Sequence, residues 1–302
     1  MIENVILVFA LIGIGTFSKR LGLLPENSAF VLNSFVLNIS LPSMILISIP
    51  KLPLDGNLLY PVISHWLFYS LSIICILGFL KIFKLAKSHV GVLLVVACMG
   101  NTAFLGIPMV ETFYGAELVP YAVLYDQLGS GIAFILTASF ILPVFKDTAV
   151  KKQFSDILRD LIVFPPFVSL VLGFIFIFIP MPKLANNVLE IISKTLIPCA
   201  MISVGYQMKY RLNQDKLKPV VIGLVMKLVL IPLIGLVFVK LFKIENSAMN
   251  ISLLQSGMPP MITAAALAMN ADLESDIAAS LVGYGLFFSF LTLPLIQFLL
   301  HI

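Results

Sequence analysis

Ten apolar stretches separated by short polar segments set the pattern of this chain. They run approximately 3–22, 27–49, 59–82, 90–113, 118–145, 160–180, 186–208, 218–242, 247–270 and 276–300. A bilayer core is spanned by roughly 20 apolar residues of helix, so the pattern predicts an all-α integral membrane protein with ten transmembrane helices. Two stretches depart from a uniform helix. The fourth carries Gly100-Asn101-Thr102-Ala103-Phe104-Leu105-Gly106-Ile107-Pro108 at mid-depth, and the ninth carries Gln255-Ser256-Gly257-Met258-Pro259-Pro260. Proline lacks an N–H and clashes with the carbonyl four residues back. It also pushes the residue before it out of helical geometry, so Met258 and Pro259 are expected to be non-helical. Irregular backbone at membrane depth survives only where protein or a water-filled cavity satisfies it. Interrupted segments at matching places in two halves of a chain point to the binding site of a secondary transporter.

Composition agrees with the pattern. The 302 residues are 60% hydrophobic and 11% charged, against about 25% charged in a soluble domain, and the mean hydropathy is +1.08. The net charge of +4 is explained by its distribution across a membrane and calls for no nucleic acid. With ten spans, one side holds thirteen basic residues: Lys19, Arg20, Lys81, Lys84, Lys87, Lys146, Lys151, Lys152, Arg159, Lys209, Arg211, Lys216 and Lys218. The other side holds four, Lys51, Lys183, Lys240 and Lys243. The positive-inside rule places the thirteen in the cytoplasm and both termini outside the cell membrane. The first span is expected to be a membrane helix rather than a cleavable leader, because Glu3 precedes its apolar run and Lys19 and Arg20 follow it, the reverse of a signal peptide's order.

The polar linker 146–159 divides the chain into halves, 1–145 and 160–302, of five spans each. Phe79-Leu80-Lys81-Ile82-Phe83-Lys84 matches Phe238-Val239-Lys240-Leu241-Phe242-Lys243; Leu41-Pro42 matches Ile197-Pro198, and Leu142-Pro143 matches Leu293-Pro294. An odd number of spans per repeat forces the second copy to be inverted. Two inverted five-helix repeats are a transporter architecture, with the site near the midplane.

The run Gly-Asn-Thr…Leu-Gly-Ile-Pro at 100–108, Tyr125-Asp126-Gln127, Lys227-Leu228-Val229-Leu230-Ile231-Pro232 and the proline-broken ninth span resemble the auxin efflux carrier family. The resemblance covers essentially the whole chain. It implies a bile-acid-symporter-like fold in which broken helices 4 and 9 cross. It also implies a scaffold from spans 1, 2, 6 and 7 and a transport bundle from spans 3–5 and 8–10. The implied activity is elevator-type carriage of a small organic anion such as a carboxylate. A sodium- or proton-coupled bile-acid or organic-solute symporter is the alternative. The short linker lacks the large loop of plant members, so a compact, prokaryotic-type carrier is expected. A homodimer through the scaffold is a further expectation, as is the absence of any cofactor beyond a coupling H+ or Na+.

Charge at bilayer depth costs at least about 2.5–3.5 kcal/mol on insertion scales and faces a cavity or a partner. Asp126 and Lys227 lie at such depth, and they are the candidate ion-coupling residues; a structural salt bridge between spans or, for Lys227, neutralisation by burial is the competing reading. Asn101, Thr102, Gly106, Pro108, Gln255, Ser256, Pro259 and Pro260 are the candidate substrate-binding residues. Glu190 and Lys194, at i and i+4, are expected to form a helical ion pair. Asn38, Ser193 and Thr195 are expected to satisfy carbonyls freed by nearby prolines. Cys75, Cys98 and Cys199 have no metal-like spacing, and His65, His89 and His301 are scattered without forming a ligand set. The chain has no H-E-x-x-H, Gly-x-Ser-x-Gly or P-loop, and no second acid for an intramembrane aspartyl protease. No enzyme is expected. A channel would need a filter, usually built by oligomer symmetry, and two breaks within one chain favour a carrier.

Overall fold

The computed structural model describes residues 2–52, 54, 56–146, 154–207, 216–244 and 246–300. Residues 147–153 of the linker expected at 146–159, with Lys151 and Lys152, lie outside the described residues, as do Lys209, Arg211, His301 and Ile302. The described chain forms α1 (Ile2–Arg20), α2 (Ser28–Lys51), α3 (Gly56–Phe83), α4 (Lys87–Ala97), α5 (102–114), α6 (Ala116–Phe145), α7 (Phe154–Val163) and α8 (Pro165–Phe178). It continues with α9 (Lys183–Gln207), α10 (Leu217–Leu241), α11 (Ser247–Ser256), α12 (Ile262–Asn270) and α13 (Ser275–Leu300). No strand forms among the described residues.

Six of these helices, α2, α3, α6, α9, α10 and α13, are long and apolar enough to cross a membrane. Their outward residues are large and apolar, such as Ile63 and Ile74 on α3 and Leu291 and Phe298 on α13, each more than half exposed. Faces of this extent suit lipid rather than water. The fourth, sixth and ninth expected spans have local reasons for being shorter. The fourth and ninth are each cut in two. The sixth starts afresh at Pro165-Pro166 after an extended Phe164, because proline fits only the first turn of a helix.

Prolines also shape the long helices. Wide turns occupy Val36–Ser40, Thr102–Gly106, Thr137–Ile141 and Met226–Leu230. Each is followed at once by Leu41-Pro42, Ile107-Pro108, Leu142-Pro143 or Ile231-Pro232. A turn with one extra residue lets the helix pass a ring that would strike the carbonyl four back. Nearby side chains take up local carbonyls: Asn38 Nδ2 donates to Ser34 O at 2.8 Å, and Ser193 Oγ to Glu190 O at 2.9 Å. Thr195 Oγ1 donates to Ile192 O at 2.5 Å. Two further wide turns, Leu93–Ala97 and Tyr125–Gly131, have no proline after them.

The chain forms two compact units, each drawn from both sequence halves. The first comprises Met1–Asp55, Ala103–Val123 and Leu158–Met208. Within it α1 lies against the Leu196–Gln207 portion of α9. A Cβ on Gly15 would sit 2.1 Å from Ile202 O, and one on Gly205 would sit 2.0 Å from Ile12 O. The two backbones therefore touch, as at small-residue membrane interfaces, and Thr16 Oγ1 donates to Gly205 O at 3.1 Å. Glu190 and Lys194 pair at 3.8 Å on an exposed face.

The second unit comprises Gly56–Thr102, Leu124–Ile157 and Lys209–Ile302. Its core runs through Leu93, Val95, Val96, Leu228, Leu253 and Leu281. Lys84 and Lys243, which leave α3 and α10 at matching places, both adopt the left-handed conformation with φ 51°. Ahead of α13 the Glu274 carboxylate accepts from Ser88 Oγ at 2.7 Å and from Lys216 Nζ at 3.2 Å. Lys216 also reaches Asp276 at 3.3 Å. Burial alone would push the Glu274 carboxyl up, but the Ser88 hydroxyl, Lys216 and the charges of Lys216 and His89 outweigh it and hold it below the usual range.

Gly205→Ala forces a methyl into backbone. It is expected to cost at least about 1–3 kcal/mol, read as a lower melting temperature in detergent. Gly13→Ala, whose Cβ would meet nothing within 4 Å, should leave the melt unchanged or raised; equal melts for the two variants would reject the contact. Because Glu274 is held low when folded, its contribution is present above the unfolded value of about 4.3 and is lost as pH falls through the folded value. Glu274→Gln should therefore melt lower than wild type at neutral pH, with the gap closing below about pH 4. A gap constant across pH 3–7 would remove Glu274 from the account.

Candidate functional site

Two helix breaks meet inside the second unit. The first separates α4 from α5 at residues 98–101, and the second separates α11 from α12 at residues 257–261. Gly100 and Pro260 form an antiparallel bridge. Asn101 N donates to Pro259 O at 2.8 Å, and Met261 N donates to Met99 O at 3.0 Å. The breaks thus give each other the backbone partners that their own helices cannot supply. Gln255 Nε2 adds a longer bond to Thr102 O at 3.4 Å. Asn101, Thr102, Gln255 and Ser256 are all buried.

A polar cluster adjoins the crossing. The Thr102 hydroxyl donates to Asp126 Oδ1 at 2.5 Å and lies 2.9 Å from Ser130 Oγ. Gln127 Nε2 donates to Asp126 Oδ2 at 2.6 Å. Ser130 Oγ is 3.4 Å from His65 Nδ1. The wide turn Tyr125–Gly131 presents Asp126, Gln127 and Ser130 together and leaves Leu128 O to accept from Trp66 Nε1 at 3.2 Å. Only glycine fits at 129, where a Cβ would lie 2.3 Å from His65 Cγ. His65 is held by Tyr125 edge-on at 4.8 Å and by Tyr69 at 6.1 Å between ring centroids.

His65, Tyr69, Ser72, Cys98, Gly100, Thr102, Tyr125, Ser130 and Lys227 line a cavity with about 10 Å³ open to the centre of a water, room for about one molecule. Four polar groups at this centre lack partners among the described residues. His65 Nε2 and Gln255 Oε1 are buried without a hydrogen bond. The buried Asn101 side chain makes none. Lys227, 5% exposed, has no carboxylate in salt-bridge range among the described residues.

The expected residues therefore divide. Asn101, Thr102, Gln255, Pro259 and Pro260 come together at the crossing, and Ser256 sits beside it with its hydroxyl spent on Leu253 O at 2.7 Å. Asp126 and Lys227 border the same cluster but do not pair, so the salt-bridge reading fails. The fourth span is not broken at Pro108. Its break lies at 98–101, and Pro108 lies inside α5, where the wide turn Thr102–Gly106 lets the helix run on past its ring. Gly106 and Pro108 belong to the first unit. Sequence reading missed His65, Ser130 and Gln127. His65 lies 61 positions from Asp126 in the chain, and no spacing links a lone histidine in one span to a carboxylate in another.

A family model described as "Membrane transport protein" matches residues 1–297. An uncharacterized transporter of Methanocaldococcus jannaschii is 28% identical over 302 residues, covering 97% of this chain and 96% of that protein. An uncharacterized transporter of Methanothermobacter thermautotrophicus is 29% identical over 299 residues, with the same coverage. The apolar helices and the match along almost the whole sequence agree that this is a multi-pass membrane transporter and not an enzyme, and the chain belongs to the membrane transport protein family that includes the auxin efflux carriers.

Proposed function

We propose that the protein is a secondary carrier that moves a small organic anion, such as a carboxylate, across the cytoplasmic membrane by elevator-type alternating access. In this reading ten spans form two inverted five-helix repeats, 1–145 and 160–302, with both termini outside. The shared left-handed exits at Lys84 and Lys243, 159 residues apart, support the repeat, as does a break in each half. One observation carries the site: buried polar groups without partners gather where the breaks cross. Buried polar groups are almost always satisfied, so the exceptions call for a ligand. Asn101 and Gln255 offer directional hydrogen bonds, Lys227 offers positive charge, and the start of α12 offers free N–H groups and the positive end of its dipole. Together these suit an anion. The cavity admits about one water, so an organic anion enters only after the site opens.

Uptake of labelled mono- and dicarboxylates into proteoliposomes, with proton and sodium gradients imposed separately, tests the reading. Asn101→Asp is nearly isosteric but places a negative charge at the anion position; it should abolish uptake while expression and melting temperature stay near wild type. Asn101→Ala should weaken binding by about 0.5–1.5 kcal/mol. Wild-type affinity in Asn101→Asp would move the anion away from the crossing. Lys227→Met separates function from structure. Breaking a buried ion pair costs about 3–5 kcal/mol, but Lys227 has no such partner, so the variant should melt at or above the wild-type temperature and still lose uptake. A large fall in melting temperature would make Lys227 a structural residue.

A further inference from the structure

The cluster beside the crossing has a direction. A hydroxyl owns one proton. The Thr102 proton goes to Asp126 Oδ1, the closest acceptor at 2.5 Å and the only charged one it meets. Thr102 Oγ1 is also oriented toward Ser130 Oγ as a donor, at 2.9 Å; with its single proton held by the carboxylate, that contact is closed by the Ser130 proton instead. Ser130 in turn has only its lone pairs for His65 Nδ1 at 3.4 Å, so Nδ1 carries the proton and donates it. That tautomer leaves Nε2 unprotonated, and Nε2 is the buried ring nitrogen without a partner, on a residue lining the cavity. The row reads His65 to Ser130 to Thr102 to Asp126, every member buried and every hydrogen bond pointing toward the carboxylate.

We propose that His65, Ser130, Thr102 and Asp126 form a proton relay from the cavity to Asp126, and that the proton is the ion this carrier couples to its substrate. The step balances. A proton from a hydronium in the cavity bonds to His65 Nε2, leaving water behind, and the Nδ1–H bond breaks as that proton passes to Ser130 Oγ. Ser130 releases its own proton to Thr102 Oγ1, and Thr102 releases its own to Asp126 Oδ1. One proton has entered, Asp126 is neutral, and each hydroxyl has given one proton and taken one. Every bond in the row is then reversed, with Ser130 donating to Nδ1, and the imidazole carries its proton on Nε2. The titratable groups facing His65 are Tyr69 on α3, Cys98 at the break, Tyr125 on α6 and Lys227 on α10. Only Asp126 is joined to it through the hydroxyls. A sodium ion would need those oxygens turned toward a common centre, whereas here they are bonded to one another.

This inference rests on the carrier reading, and its test needs no substrate. The full chain in lipid nanodiscs is followed by time-resolved infrared spectroscopy after a light-triggered proton jump. The reporter is the carboxylic C=O band that Asp126→Asn removes. Ser130→Ala, Thr102→Val and His65→Gln should each slow the rise of that band by about a hundredfold, the low end of what positioned proton transfer contributes. Thr102→Ser, which keeps the hydroxyl, should restore the wild-type rate. Histidine-labelled nitrogen resonance spectra should show His65 with Nδ1–H and a bare Nε2 in wild type, and lose that tautomer in Ser130→Ala. A wild-type rate in His65→Gln, or an Nε2–H tautomer in wild type, overturns the relay. Suppression of the band when sodium chloride replaces N-methylglucamine chloride overturns the proton as coupling ion. Loss of carboxylate uptake with an intact relay would instead fault the carrier reading.

Discussion

A backbone N–H or C=O buried in apolar surroundings must find a partner, and the centre of this protein is built around that demand. An unbroken helix meets it internally. Two broken ones cannot, and in the second unit each break lends its exposed groups to the other through the Gly100–Pro260 bridge. Composition lightens the demand. Pro259 and Pro260 remove two donors that would otherwise need acceptors. Gly100 leaves room for Lys227, whose Nζ would lie 3.2 Å from a Cβ there. Asn101 N and Met261 N make the two bonds that fasten the crossing.

Once the backbone is satisfied, the side chains at the crossing are freed from structural duty. Asn101 and Gln255 do not cap the breaks with their full hydrogen-bonding capacity, and Lys227 neutralises no carboxylate among the described residues. Retaining such groups in a low-dielectric interior is costly. A merely structural crossing would be more stable with apolar residues of the same size. The stability left unused is the physical argument for the ligand site proposed above.

Much of this was legible in the chain, and the physics says which part. Glycine and proline act locally, so the breaks could be read from residues 100–108 and 257–260, and the wide turns follow from X-Pro pairs. Local reading still misplaced the first break at Pro108, because a wide turn lets a helix run past a proline; the strand-like pairing at 98–101 depends on a partner some 160 residues away. The wide turn Tyr125–Gly131 has no proline to announce it. It exists to bring Asp126 and Ser130 to Thr102 and to seat Gly129 on His65, contacts that only the assembled unit supplies. The close approach of Gly15 and Gly205 to partner backbones is hidden for the same reason.

Thr102 joins the two halves of the site. Its carbonyl accepts from Gln255 across the crossing, and its hydroxyl bonds to Asp126. A ligand that draws Gln255 or Asn101 toward itself shifts the backbone at 101–102 and with it the hydroxyl on which the Asp126 carboxylate depends. The reverse holds equally: protonating Asp126 reverses the Thr102 hydrogen bond and changes what the crossing can offer an anion. Linkage requires the two effects to be equal in free energy. The proposed proton-coupled carriage needs such a reciprocal tie between its two cargoes, and one residue with a backbone bond on one side and a side-chain bond on the other is the shortest way to make it.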